Sequence, residues 1–291
     1  MKKIRIYVVG AILLLFSIEA YSQSGKDIYS LYDIKGQKAD YQKLLNDALN
    51  ADVVLFGELH DNPVCHWLQL ELTKDLYATK KDKLVLGAEM FEADDQIVID
   101  EYLAGKISDK TLKVEAKLWN NFATDYKPLL DFAKDNKLKF VAANIPRRYA
   151  NLVYSKGIAS LDSVSDEAKK WIAPLPMKYD PNLKCYKDIF ESAGGHGGDN
   201  LPKSQAIKDA TMAHFILKNW TKGQVVLHYN GAYHSNNHQS IEWYLKQENP
   251  KLKVMVISST EQKDISKLED GAKESGDYII VTPSNLTKTY K

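Results

Sequence analysis

Four short clusters concentrate the residues able to do chemistry. They are Gly57-Glu58-Leu59-His60-Asp61-Asn62, Gly87-Ala88-Glu89-Met90-Phe91-Glu92, Asn144-Ile145-Pro146-Arg147-Arg148 and His228-Tyr229-Asn230-Gly231-Ala232-Tyr233-His234. Each ends or follows an apolar run. Glu58 and His60 are two apart, so an extended backbone points both the same way. A carboxylate beside an imidazole can share a proton or coordinate a metal; the plainer reading is that the pair braces a strand-to-helix turn. Glu89 closes the run Leu84-Val85-Leu86-Gly87-Ala88. Burying even a neutral polar group without a partner costs ~2–7 kcal/mol, so Glu89 needs Arg147, Arg148, a histidine or a metal beside it. Gly231-x-x-His234 repeats the spacing of Gly57-x-x-His60, and in both the glycine can let the backbone turn tightly. His234 and His238 would share a face if Ser235–Leu245 is helical. His228, inside a strand end, is a candidate core histidine. Asp61 or Asn62 before Pro63 reads as the N-cap of a helix.

Other chemistries find little support. There is no Gly-x-Ser-x-Gly elbow, Walker loop or GxGxxG fingerprint, and no Glu follows His234 as a HExxH metalloprotease requires. The glycine cluster Gly194–Gly198 carries His196, a candidate axial ligand, for which chance placement in a flexible loop is the plainer reading. With only Cys65 and Cys185, no zinc-finger spacing exists.

The elements that must position these groups alternate. Strand patterns cover Asp52–Phe56, Lys83–Ala88, Leu138–Ala143, Gln224–His228, Lys253–Ser258 and Tyr278–Thr282. Several are continuously apolar, as parallel strands buried on both faces are. Helical patterns cover Tyr41–Leu49, Pro63–Tyr77, Tyr126–Asn136, Ser204–Trp220 and Asn236–Gln247. The expectation is an α/β fold: a largely parallel central sheet, helices on both faces and a smaller all-helical subdomain. That helical lobe is expected from about 93–123 and 163–202, which lack convincing strands. All four polar clusters then fall at the carboxyl ends of parallel strands, where open α/β sheets bind ligands.

Residues 1–22 read as a Sec-type signal peptide. Lys2, Lys3 and Arg5 precede the apolar run Ile6–Ile18, and Ala20-Tyr21-Ser22 offers small residues for cleavage. The run is short of the ~20 residues that a bilayer span needs. The product is expected to be periplasmic or secreted, from residue 23 to 291, with no Cys placed for a lipid anchor. An oxidising compartment permits one disulfide between Cys65 and Cys185; two separate buried thiols is the alternative. The whole sequence has net charge +1, but residues 1–22 carry +2 of it and leave −1. Such a balance argues against nucleic-acid binding.

The four clusters, with Gln205-Ala206-Ile207-Lys208-Asp209-Ala210-Thr211-Met212-Ala213 and Ser235 after His234, resemble the ChaN-like haem-binding proteins of the TIKI superfamily over about 32–258. The resemblance implies a parallel sheet joined to a smaller helical domain. It also implies a role in haem or iron acquisition, haem held at a homodimer interface, and envelope haem-uptake components as partners. Arg147 and Arg148 are candidates for the haem propionates, and Tyr229, Tyr233 and His196 for the iron. The wider superfamily includes metal-dependent proteases and erythromycin-esterase-like hydrolases. Carried over, that gives Glu58, His60, Glu89 and His234 as a catalytic or metal centre for Mn, Zn or Co. The second reading is therefore a metal-dependent peptide or ester hydrolase with Glu58 or Glu89 as general base.

Overall fold

The computed structural model describes residues 26–290 apart from 193 and 195–197. The expected signal at 1–22 and His196 therefore lie outside the described residues.

The apolar runs form β1 (Ser30–Asp33), β2 (Val53–Glu58), β3 (Leu84–Glu92), β4 (Lys139–Asn144), β5 (Val225–Gly231), β6 (Val254–Gln262) and β7 (Tyr278–Pro283). They make one seven-stranded sheet in the order β1-β7-β6-β2-β5-β3-β4. Every pairing is parallel except β1 with β7. The helices are α1 (Tyr41–Asn50), α2 (Pro63–Lys80), α3 (Gln96–Leu103), α4 (Asp109–Glu115), α5 (Lys127–Asp135), α6 (Arg147–Lys156), α7 (Asp166–Lys169), α8 (Lys184–Ser192), α9 (Asn200–Asn219) and α10 (Ile241–Glu248). Among the described residues no helix is long and apolar enough to cross a membrane.

Alternation along each strand sorts the core into two layers. Val54 and Phe56 of β2 face the core of α1 to α5, while Val53 and Leu55 face that of α6, α9 and α10. The chain moves one way across the sheet from β2 to β4 and back from β4 to β6. Right-handed crossovers then demand helices on opposite faces, as found. Helix α2 shows how the sequence builds one layer. Asn62 caps it, accepting from the Val64 and Cys65 N–H groups at 3.0 and 3.1 Å, and Pro63 takes the first position. Val64, Leu68, Leu72 and Leu76 recur every fourth residue and are all buried. Each such leucine stabilises the fold by about 1.5–3 kcal/mol.

The structure differs from the sequence reading in three places. Strand β1 has no counterpart among the expected strands; it is held by β7 and by the Tyr32 hydroxyl, which donates to the Ile265 carbonyl at 2.6 Å. The two intervals expected to make one helical lobe are divided between the faces. Ile99, Tyr102 and Leu112 join the core of α1 to α5, whereas Ile172 and Ala173 join the opposite core, and Cys185 and Tyr186 pack on α9. Finally, Ser235–Leu245 is not one helix. Asn237 and His238 have positive φ of 59° and 57°, and α10 begins only at Ile241. His238 consequently does not share a face with His234 and meets Glu242 at 2.8 Å. Cys65 in α2 and Cys185 in α8 are both free and buried, so no disulfide joins them.

Candidate functional site

The carboxyl ends of β2, β5 and β3 lie side by side, and a crevice of about 850 Å³ opens above them. Glu58, His60, Glu89 and His234 all line it. The sheet divides them into two groups, because Glu58 falls on the α2 face and Glu89 on the α9 face.

On the α2 face, Glu58 is fully buried and its oxygens are committed. Oε1 accepts from the Tyr126 hydroxyl at 2.7 Å and faces His60 Nδ1 at 2.9 Å. Oε2 accepts from the Gln69 amide at 2.5 Å. The His60 Nδ1 therefore carries its proton toward Glu58, leaving Nε2 toward the crevice. Burial lowers the His60 pKa, but the Glu58 hydrogen bond and the charges of Glu89 and Glu58 outweigh it and raise the value. Trp119 meets the His60 ring edge-on at 4.9 Å. His66 faces the His60 carbonyl at 3.1 Å and Asp125 at 3.4 Å, tying the turn after β2 to the segment before α5.

On the α9 face, His234 stands between two carboxylates. Its Nδ1 lies 2.5 Å from Asp209 and its Nε2 3.2 Å from Glu89. Burial disfavours its charge, but Glu89 and Asp209 together push its pKa up to about 10. Burial would raise Glu89; the His234 charge and hydrogen bond and the Gly231 N–H, which donates at 2.7 Å, hold it far below the carboxylate range instead. Burial also raises Asp209, against the pull of His234 and of the Tyr186 hydroxyl at 2.9 Å. Strand β3 advances from Ala88 to Glu92 while β4 advances only from Ala142 to Asn144. Such a bulge re-aims side chains at a strand end, here at Glu89.

The two groups touch at Gly231. A Cβ there would lie 2.7 Å from His60 Nε2 and 3.5 Å from Glu89 Oε2. Gly57 is similarly crowded, with Ala232 Cα at 3.0 Å and the Ile257 carbonyl at 3.1 Å from such a Cβ. Neither glycine has positive φ. The repeated Gly-x-x-His spacing thus reflects close approach of backbone and side chain, not a left-handed turn.

The four expected metal ligands do not surround a common point. Glu58 and His234 have spent their acceptors and donors on protein partners, and among the described residues no group of three or more His, Cys, Asp or Glu is arranged to hold a metal ion. The metal centre expected from the sequence is therefore not supported. Tyr229 is also misplaced as an iron ligand: it is fully buried in the α2-side core, with its hydroxyl 2.5 Å from Thr73. His228 is buried with both ring nitrogens unpartnered, and burial lowers it to about 3, so it is a neutral core residue. Neither arginine pairs with Glu89. Arg148 meets Asp94 at 2.6 Å, and Arg147 is exposed. Tyr233, between buried Ala232 and His234, is 72% exposed at the crevice. Sequence reasoning missed Asp209, Gln69, Tyr126 and Trp119. Asp209 carried a signal, being a charge among Ala206, Ile207, Ala210 and Ala213 on an apolar face.

Residues 44–245 match the family described as haem-binding uptake, Tiki superfamily, ChaN. A solved structure described as cofacial haem binding to ChaN of Campylobacter jejuni has a TM-score of 0.67 and 18% identity, covering 88% of this chain and 97% of that one. The type III effector HopBA1 has a TM-score of 0.47 and 13% identity, covering 83% and 92%. The chloroplastic protein RETICULATA-RELATED 5 of Arabidopsis thaliana is 29% identical over 146 residues, 48% of this chain and 19% of that protein. This chain thus spans about a fifth of that relative's length.

Proposed function

The chain belongs to the haem-binding uptake family of the Tiki superfamily, ChaN, and from that premise we propose that it is an exported haem carrier in which Tyr233 ligates the iron. The observation that carries the ligand is the contrast among the candidates. Tyr229 is sealed in the core, whereas the Tyr233 phenol stands in the crevice wall, 72% exposed. Tyrosine is an established oxygen ligand for haem iron.

The residues present fit the group. The crevice is of ligand size, since small-molecule sites commonly run to ~300–1,000 Å³. Trp119 gives it an aromatic wall, and His60 offers Nε2 as a polar group toward its interior. When bound, haem would supply a redox-active iron; the chain's own task is to hold it and shield it. The Glu58 and Glu89 groups serve here as anchors, Glu58 fixing His60 and the Glu89–His234–Asp209 row fixing the segment that presents Tyr233.

Three further expectations belong to this reading. Lys2, Lys3, Arg5 and the Ile6–Ile18 run support export to the periplasm or medium. An exposed ligand at a crevice mouth suits a homodimer that covers haem between two copies. Haem delivered in this way would be received from, or passed to, envelope uptake components. Titrating the haem-free protein with ferric haem is expected to give a saturable Soret shift at micromolar protein, and Tyr233→Phe at least a tenfold weaker one with the melting temperature unchanged. No saturable shift in the native protein would sink the reading. Sedimentation with and without haem tests the dimer.

A further inference from the structure

A second cavity, of about 620 Å³, lies beside the crevice at the start of α6. Trp119 and Tyr290 line both, so the two spaces meet across these rings. Apart from Leu118, the rest of the second cavity's lining is polar. Three cations border it, and their commitments differ. Lys117 is tied to Glu92 and Asp94, both at 2.9 Å. Arg148 is tied to Asp94 and lies over the Tyr149 ring at 4.6 Å. Arg147 makes no ion pair or side-chain hydrogen bond among the described residues. Asn121, only 3% exposed, lines the same wall with an Oδ1 that has no partner. An unpaired buried acceptor calls for a donor such as water, so Asn121 marks the space as hydrated, and the free donor for an anion there is Arg147.

We propose that this cavity is a carboxylate-binding subsite, read by Arg147, for the anionic edge of a flat ligand whose body occupies the crevice. The inference rests on the haem reading and deepens it: the carboxylates are the haem propionates. A planar guanidinium matches a carboxylate with two parallel hydrogen bonds. Glu92, also in the lining, limits the positive field and disfavours a multiply charged phosphate. Trp119, braced against His60, separates apolar body from anionic edge. The sequence supplied two equivalent arginines; the structure distinguishes them, because Asp94 has already claimed Arg148.

The test compares ferric haem with its dimethyl ester, in which both propionates are blocked. Each is titrated into the haem-free native protein, Arg147→Gln and Arg147→Lys, and read by the Soret band. Loss of a charge-assisted hydrogen bond is expected to weaken haem binding about tenfold in Arg147→Gln. The ester should bind native and Arg147→Gln alike, and Arg147→Lys should recover part of the loss for haem. Equal weakening of both ligands, or no change for haem, overturns the subsite while leaving haem binding in place. A native protein that binds neither ligand overturns the haem reading and the subsite with it.

Discussion

His234 is the most heavily stabilised charge at the strand ends, since Asp209 and Glu89 face its two ring nitrogens at 2.5 and 3.2 Å. Its pKa of about 10 in the fold lies above the ~6.5 of an unfolded histidine. The fold therefore holds that proton more tightly than the unfolded chain does. The stabilisation is complete below about pH 6.5 and is lost as pH rises through about 10. His234→Gln would leave two buried carboxylates without their counter-charge, a loss of about 3–5 kcal/mol at pH 6. Urea unfolding across pH 6 to 10 should show the gap between native and variant shrinking with rising pH. A constant gap would mean that His234 is neutral in the fold. Tyr233 predicts the opposite behaviour. Being exposed, it should affect ligand binding and leave stability alone.

The strand ends explain why two glycines recur with the same spacing. A Cβ at Gly57 would press on the backbone of Ala232 and Ile257, which cannot yield without moving β6 or the turn after β5. At Gly231 the obstacle is the His60 ring, whose side chain is 34% exposed and can swing away. Gly57→Ala is thus expected to cost about 1–3 kcal/mol by overpacking. Gly231→Ala should cost less but release His60 from Glu58, letting its pKa fall toward ~6.5. Urea melts and an NMR titration of His60 measure the two effects; equal destabilisation with an unmoved His60 would refute the distinction. Legibility in the sequence followed the same physics. Six strands and the sheet's parallel character could be read because Val53–Phe56 or Val225–Leu227 are apolar without interruption. Strand β1 could not, since four residues, Ser30–Asp33, carry too little periodicity and depend on β7 for pairing. The crevice was legible as a convergence of Glu58, His60, Glu89 and His234. Their partners were not: Tyr126 and Asp209 reach the strand ends from the turn before α5 and from α9, and no local spacing records a contact between residues 25 or more apart, such as Asp209 with His234, while Gln69, only 11 residues after Glu58, reaches it because α2 packs back on β2. Likewise the bulge in β3 and the break before α10 are imposed by tertiary packing.

Across the whole molecule, the last described residues close the circuit around the ligand space. The Thr289 N–H donates to the Asp61 carbonyl at 3.0 Å, and its hydroxyl to Asp125 at 2.7 Å. Lys288 pairs with Glu261 and with Asp61, the latter at 3.2 Å. Tyr290 is carried by these ties to the junction of the two cavities, where it faces the same spaces as Trp119. The ties span three elements, the turn after β2, the segment before α5 and the end of β6, yet none of them belongs to either core. Partly exposed ion pairs contribute only about 0–1 kcal/mol each. A chain of this size shifts its melting temperature by about 2–4 °C per kcal/mol, so the fold should tolerate losing the strap. Entry of a flat ligand should not. A chain ending at Leu286 is expected to melt within a few degrees of the native protein, by roughly the ~2–4 °C scale above, and to take up haem faster in stopped-flow mixing. Its dissociation should accelerate too, because one aromatic wall of the shared space is gone. Unchanged association and dissociation rates would show that Tyr290 merely rests on the surface and that haem enters from the Tyr233 side alone.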